Sequence, residues 1–555
     1  MQILLGILII FAVFLIKGVY DKKVWYRNIK QKMLSDWGMV PEEEYTDGKM
    51  KALGAYYRAL ADKNDVDEIT WNDVSMEEIF MLVNNTGSAI GEEYLYAMLH
   101  KLEFSEDKLK ERERLMNFFS DNEEQRLSLQ LALYKMGKIS NVSVYEYINR
   151  LEGVETKKVW PHILMGAGFL VSIALIAVNP AVGGVLTVAM LANNIYQYYR
   201  EKSKIEIYFT VCGYIVRLLD GVNTIIKLNM PEISDITERL KESRKAFQKF
   251  RKGSYLISTK SSSGDITDIF LDYIKIIFHV DLIKFYSMLD CFKANREVLN
   301  TIYETVGSLD SCIAAASFRK LIPFYTIPEL LSENETVLEV EDIYHPMIDE
   351  PVLNSIHTDG SVLITGSNAS GKSTFIKTLA VNAILSQTIH TALSSAYKAS
   401  YFKVFSSMAL KDNLLGKESY YVVEIKSLKR IMDQTNENIP TLCFVDEVLR
   451  GTNTLERISA SSQILHYLSQ TNTICFAATH DIELTHILEN YYSNYHFKEQ
   501  IADNNVLFDY KLREGRAVSK NAIKLLEVMG YPSQVTEMAS ENAEYFLKEG
   551  KWKVL

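Results

Sequence analysis

One stretch restricts this chain more than any other: Ser361 to Leu379, SVLITGSNASGKSTFIKTL. A short apolar strand, Val362 to Ile364, runs into Gly366-x-x-x-x-Gly371-Lys372-Ser373, and an amphipathic run opens a helix directly behind it. This is the P-loop arrangement. Its glycines let the backbone fold tightly enough for successive N–H groups to face phosphate oxygens, and the helix N-terminus adds a favourable dipole. Gly366, Ser367, Asn368, Ala369, Ser370, Gly371, Lys372, Ser373 and Thr374 are therefore candidate phosphate-binding residues. Lys372 is expected to reach the β- and γ-phosphates, with the Ser373 hydroxyl on Mg²⁺.

A chain of 555 residues exceeds what one core can fill, so roughly two to four domains are expected. A net charge of −10 argues against a uniformly basic nucleic-acid coat, although a local basic groove remains compatible with it. The five cysteines are scattered without a C-x-x-C pair. That fits reduced core thiols in a cytosolic compartment and neither a disulfide frame nor a zinc site.

Ile3 to Ile16 is an uninterrupted apolar run, with Lys17, Lys22, Lys23, Arg27, Lys30 and Lys32 behind it. A cleaved leader carries its positive charge ahead of the apolar core, so a retained transmembrane anchor over 1–20 is expected, the remainder lying in the cytoplasm. Residues 40–157 are polar with helical spacing, including a turn into a capped helix at 84–95 and a charged amphipathic run at 108–119. Ile163 to Val178 and Ala181 to Ala192 flank an Asn179-Pro180 turn, with Trp160 ahead, Tyr196, Tyr198 and Tyr199 behind, and Lys157, Lys158, Arg200 and Lys202 outside. This reads as a transmembrane hairpin over 160–196; the alternative is a helical hairpin buried in a soluble core. A helical core and lever region over 197–320 follows. Its basic residues, Arg239 to Lys252, alternate with Glu238 and Glu242, which fits a solvated face or a contact with phosphates. After prolines at 323, 328, 346 and 351, strand-like and helical runs alternate, as in an α/β sheet.

Within that last third, Thr441 to Val445 ends in Asp446-Glu447, and Thr473 to Ala478 ends in Thr479-His480-Asp481. An acidic residue at a strand's carboxyl end can hold Mg²⁺, and the next can polarise an attacking water. Asp446 and Ser373 are the candidate metal residues; Glu447, Lys372 and His480 are the candidate catalytic ones. The glycine-rich loop, the acidic pair and the histidine fall on three strand ends, where α/β sheets place ligands, so a nucleoside triphosphatase is expected.

TGSNASGKST, FVDEVLRGTNT and ATHD, in that order, resemble the ATPase domain of the MutS mismatch-repair family, an ABC-type ATPase. His345-Pro346-Met347-Ile348, Ser407 to Leu414, Gly416 to Glu424 and the 510–532 region resemble further elements of the same domain, while Thr86 to His100 and Leu309-Asp310-Ser311 resemble its helical core and lever. The resemblance covers about 335–540 closely and 65–320 more loosely. It implies ATP and Mg²⁺ as ligands, and a homodimer in which Ser419 reaches the nucleotide of the opposite subunit. It also implies DNA as a partner, held by phosphate contacts. The chain departs from the family in four places. An anchor stands where the mismatch reader is expected, and Phe104-Ser105-Glu106 matches the reader's letters only by chance. The family's glycine is Leu449, its Asp-Gly is Glu456-Arg457, and Pro351 to Asn354 lacks the aromatic that packs on adenine.

The expected architecture is thus an all-α core with an N-terminal anchor and a transmembrane hairpin, followed by an α/β P-loop ATPase domain over 335–540. The expected function is a membrane-tethered ATPase at the cell membrane. ATP hydrolysis in a composite dimer site would control DNA binding without base-mismatch specificity. The alternative is a membrane mechanoenzyme that couples hydrolysis to a protein partner or to the hairpin, without DNA.

Overall fold

The computed structural model describes residues 2–248, 266–331, 336–367, 370–408, 420–435, 438–450, 452–502, 505–517 and 522–554. Within it the chain divides into two units, each assembled from separated stretches of sequence. One takes Met1–Ala61, Leu82–Ala97 and Arg114–Leu321; the other takes Asp62–Met81, Met98–Glu113 and Ile322–Leu555.

The first unit is helical. Gln2–Ser35 is one helix, and the side chains of Ile3 to Ile16, the expected anchor, lie outside the described residues. Its core is organised on two buried carboxyl groups. Asp310, in the Arg296–Leu321 helix, accepts hydrogen bonds from Gly87 N and Ser88 N, both at 2.9 Å, and from Ser88 Oγ at 2.5 Å. It thereby fixes the two residues that lead into the Ala89–His100 helix, whose own first amides donate elsewhere: Ala89 N to Gly137 O at 3.0 Å, Ile90 N to Tyr214 Oη at 3.3 Å and Gly91 N to Ser88 Oγ at 3.1 Å. Glu93, one turn on, accepts from Ser143 Oγ at 2.8 Å, Val144 N at 2.6 Å and Tyr303 Oη at 3.1 Å. Burial pushes the Asp310 carboxyl up to about 6 and that of Glu93 to about 7, against the pull of these donors.

Both shifts are upward, so the stability tied to the protonated forms is fully present below the unfolded values near 4. It is lost as pH rises through about 6 and about 7. The helical unit should therefore gain stability on acidification from pH ~8 to ~5, by about 1 kcal/mol from Asp310 and about 2 kcal/mol from Glu93. Urea unfolding across that range should show it, and Asp310→Asn should reduce the slope by about one proton. An unchanged slope would remove Asp310 as its source.

Trp160–Ile176 and Pro180–Leu228 form an antiparallel hairpin around Asn179, whose Oδ1 accepts from Val182 N at 3.2 Å. Gly183 permits the close crossing, since a Cβ there would stand 2.4 Å from Ile176 N. The second helix does not end near 196: it runs unbroken for 49 residues. Asn194 does not break it, because the side chain is buried and its Nδ2 donates to Met165 O at 3.2 Å and Ile277 O at 3.0 Å. Beyond it the helix turns from exposed apolar residues (Val182, Val185, Val188) to buried ones (Val211, Tyr214, Ile225). Among the described residues this is the one helix long and apolar enough to cross a membrane, with over half of its most apolar stretch buried; Trp160–Ile176 has 17 residues. Beside Asn194, His279 Nε2 lies 2.8 Å from Asn194 O and so carries the proton. His279 Nδ1 then accepts from His162 Nδ1 at 2.8 Å.

The second unit is α/β. A six-stranded sheet has the order β10-β9-β4-β8-β7-β6: Asn505–Glu514, Tyr492–Ala502, Ser361–Thr365, Thr473–Thr479, Thr441–Asp446 and Lys403–Ser407. All pairs are parallel except β10 with β9. The central strands are continuous apolar runs buried on both faces, as a parallel sheet between helices requires. A smaller sheet, β1-β5-β2-β3, uses Glu329–Leu331, Ala396–Ser400, Leu338–Ile343 and Asn354–Thr358.

The Glu68–Asp73 helix, far upstream in the chain, covers the β6 edge. Thr70 Oγ1 accepts from Ser406 N at 3.0 Å, and Asp73 accepts from Ser406 Oγ at 2.7 Å and Met408 N at 2.9 Å. An open sheet edge is thereby closed by side chains. Phe104, in the Phe-Ser-Glu triplet, packs its ring 6.3 Å from that of Tyr401 within this same unit. Of the cysteines, Cys212, Cys312, Cys443 and Cys475 are buried, and none of the five is in a disulfide.

Candidate nucleotide site

The register of the parallel strands brings the candidate residues together. Thr365 of β4 pairs with Thr479 of β8, and Asp446 of β7 pairs with Ala478, so three strands end at one level. The residues just past those ends converge: the 366–371 turn with Lys372, then Asp446-Glu447, then His480.

Two glycines make the turn. Gly366 has φ +150°, and a Cβ would stand 2.8 Å from Ser370 Oγ and 3.0 Å from Phe497 O; Gly371 has φ +106°. The Lys372–Thr388 helix follows, buried along nearly its whole length, which fixes its N-terminus at the mouth of the sheet. Lys372 Nζ donates to Gly366 O and Ser367 O, both at 2.9 Å, and burial lowers its pKa. Ser373 Oγ donates to Asp446 Oδ2 at 2.5 Å. Ser367 Oγ donates to Glu499 Oε2 at 3.1 Å.

Glu447 is held from two sides. His480 Nε2 lies 2.8 Å from its Oε1, and Arg450 Nε lies 2.6 Å from its Oε2. The hydrogen bond from His480 is the main cause that keeps its carboxyl below the usual range, so it is ionised at neutral pH. Because His480 Nε2 donates to Glu447, it cannot also accept from Lys372 Nζ at 3.3 Å; that ammonium is satisfied by the two loop carbonyls.

These groups line a cleft of ≈ 470 Å³ bounded by Ser370, Gly371, Lys372, Ser373, Thr374, Glu447 and His480, together with Arg450 and Tyr510. Asn368, Ala369 and Ser419 lie outside the described residues, as does the 409–419 stretch. The hydroxyl of Ser373 and the carboxylate of Asp446 meet as two hard oxygen donors. That set suits Mg²⁺, which binds through one or two protein oxygens and takes its other ligands from phosphates and water.

Arg450 and Tyr510 were not anticipated as cleft residues. Tyr510 sits in β10 and reads there as one more alternating position. A register shift between Phe508 and Leu512 and a φ of +53° turn it toward Gly371, its ring 3.2 Å from where a Cβ of that glycine would lie. Asn354 steadies the bulge: its Nδ2 donates to Tyr510 O at 3.0 Å and its Oδ1 accepts from Leu512 N at 2.8 Å. Nothing in the local sequence signals the bulge.

Residues 362–547 match the family model for MutS domain V. Over 378 residues, 65% of this chain, the sequence is 26% identical to the DNA mismatch repair protein MutS of Clostridium perfringens, covering 38% of that protein. It is 28% identical over 284 residues, 48% of this chain, to the human MutS protein homolog 4, covering 30% of it. It is 29% identical over 281 residues, 48% of this chain, to the DNA mismatch repair protein MutS of Thermotoga maritima, covering 34% of it. The chain thus spans about a third of the length of these curated relatives.

Proposed function

We propose that this chain, whose residues 362–547 match the family model for MutS domain V, is a MutS-family ATPase that hydrolyses ATP at the 366–374 turn and uses the cycle to control its grip on DNA. The observation that carries this reading is the meeting of Lys372, the Ser373–Asp446 pair and the Glu447–His480 pair in one cleft. Backbone amides of the turn and the Lys372 ammonium bind the β- and γ-phosphates, replacing the lysine's contacts to its own loop. Ser373 and Asp446 hold Mg²⁺, which supplies charge neutralisation at the phosphates. Glu447, ionised and oriented by His480, takes a proton from the attacking water. His480 stands beside the γ-phosphate, and Tyr510 offers its ring to the base. Ser419 contributes across a homodimer interface; that role rests on resemblance alone.

The proposal extends to a membrane tether, with both units on the cytoplasmic side of the cell membrane. The exposed apolar residues of the hairpin, among them Leu164, Val171, Val185 and Val188, support it. DNA is bound without reading mismatches, through phosphate contacts. Full-length protein in lipid nanodiscs tests the scheme: ATPase activity and DNA binding are measured from ~50 to ~200 mM salt, with homoduplex, mismatched and branched DNA. Binding should weaken at least about tenfold across that range, with little preference among the three. An absence of binding at low salt, with ATPase intact, would remove DNA and leave a membrane mechanoenzyme acting on a protein partner.

A further inference from the structure

The turn that carries Glu447 and Arg450 is strained. Glu447 has φ +57° and Leu449 has φ +61°, two non-glycine residues in the left-handed region within three positions. Each costs about 1–2 kcal/mol, so the turn keeps this shape only where its surroundings hold it. Glu447 N donates to Ala478 O at 2.9 Å, which anchors the first residue to β8. The Leu449 side chain is buried with Val448, Leu428, Ile431 and Leu465, and Ser461 Oγ donates to Val448 O at 3.1 Å.

The Leu449 amide has a different kind of partner: it donates to Oε1 of Glu424, from the Tyr420–Met432 helix. Glu424 is buried, at 6% exposure. Burial raises its pKa, with the Leu449 and Arg450 amides working against the shift. Its Oε2 is buried with no hydrogen-bond partner. A buried carboxylate satisfied on one oxygen is poor value as a stabilising contact: an apolar side chain of its size would pack as well without the desolvation. What Glu424 supplies that an apolar residue does not is an acceptor aimed at the one amide that fixes φ at Leu449.

We propose that Glu424 is a positioning residue for hydrolysis, holding the strained 447–450 turn so that Glu447 and Arg450 face the cleft. This rests on the ATPase reading above. Glu424 itself does not line the cleft, so its loss should slow the chemical step and spare nucleotide binding.

The test uses the full-length protein in nanodiscs, with steady-state ATPase, affinity for a fluorescent ATP analogue and Tm measured on each variant. Glu424→Met keeps the volume and removes both the acceptor and the buried charge. It should lower kcat at least about tenfold, leave affinity within about twofold and leave Tm unchanged or raised. Glu424→Gln, whose amide oxygen can still accept from Leu449 N, should stay within about threefold of the parent kcat. Unchanged kcat in Glu424→Met overturns the proposal. So does an equal loss in the Met and Gln variants, or a fall in affinity that parallels kcat. A parent protein that binds the analogue without hydrolysing ATP overturns the ATPase reading and this inference together, whereas an active parent with an equally active Met variant overturns this inference alone.

Discussion

Replacing Glu447 with glutamine should lower ATP turnover about 10²- to 10⁴-fold while ATP remains bound. The side chain keeps its volume and can still accept from His480 Nε2, so the cleft keeps its shape; the charge proposed to polarise water is gone. The Arg450 guanidinium also loses its ion pair and retains only the longer contact to Asp446, at 4.0 Å. Lys372→Ala should fail differently. It removes the cation proposed to meet the phosphates, so nucleotide affinity should fall with turnover. Measuring kcat and ATP affinity on both variants separates the roles, and only Glu447→Gln should accumulate ATP-bound dimers. Turnover within tenfold of the parent in Glu447→Gln would remove the assigned base.

Gly91→Ala should unfold or strongly destabilise the helical unit, by about 3 kcal/mol or more. Gly91 lies inside the Ala89–His100 helix, where alanine is ordinarily the better residue. The objection is steric. A Cβ at 91 would stand 2.1 Å from Asp310 Oδ2 and 2.5 Å from its Cγ. Asp310 cannot swing aside without releasing the Gly87 and Ser88 amides and the Ser88 hydroxyl, all buried or nearly so. Urea or thermal unfolding should therefore show a large loss for Gly91→Ala. Gly153→Ala, where a Cβ meets nothing within 4 Å, should change stability by less than about 1 kcal/mol. Similar behaviour of the two variants would show that Asp310 yields more easily than its hydrogen bonds imply.

The parts of the fold written in short-range patterns were legible in the sequence. Val362 to Ile364 before a glycine turn, and two apolar strands ending in Asp446-Glu447 and His480, already implied a parallel sheet with a site at its carboxyl ends. The helical character of the first three hundred residues was equally plain. What could not be read depends on contacts made at long range. The Glu68–Asp73 helix pattern carries no sign that Thr70 and Asp73 will close the edge of β6. The expected boundary after 196 has no counterpart in the helix: Asn194, buried and donating to Met165 O and Ile277 O, lies within an element that continues to Leu228. Leu449 stood out as a departure from a glycine. Its left-handed backbone depends on the acceptor that Glu424 provides from another helix, which no local pattern signals.

The closure of β6 by residues 70 and 73 also sets an order of events during synthesis. The α/β unit needs Asp62–Met81 and Met98–Glu113, yet the strands of its six-stranded sheet begin at Ser361 and the last of them ends at Glu514. At ~5–20 residues per second, the ribosome leaves those early segments waiting about 15 seconds to over a minute for the strands they pack on. During that time Trp71, Val74 and Met76, buried in the finished unit, have no sheet to cover them. The same dependence means that a fragment starting at residue 322 lacks two pieces of its own wall, so supplying residues 62–113 as a separate peptide should improve its yield of soluble protein.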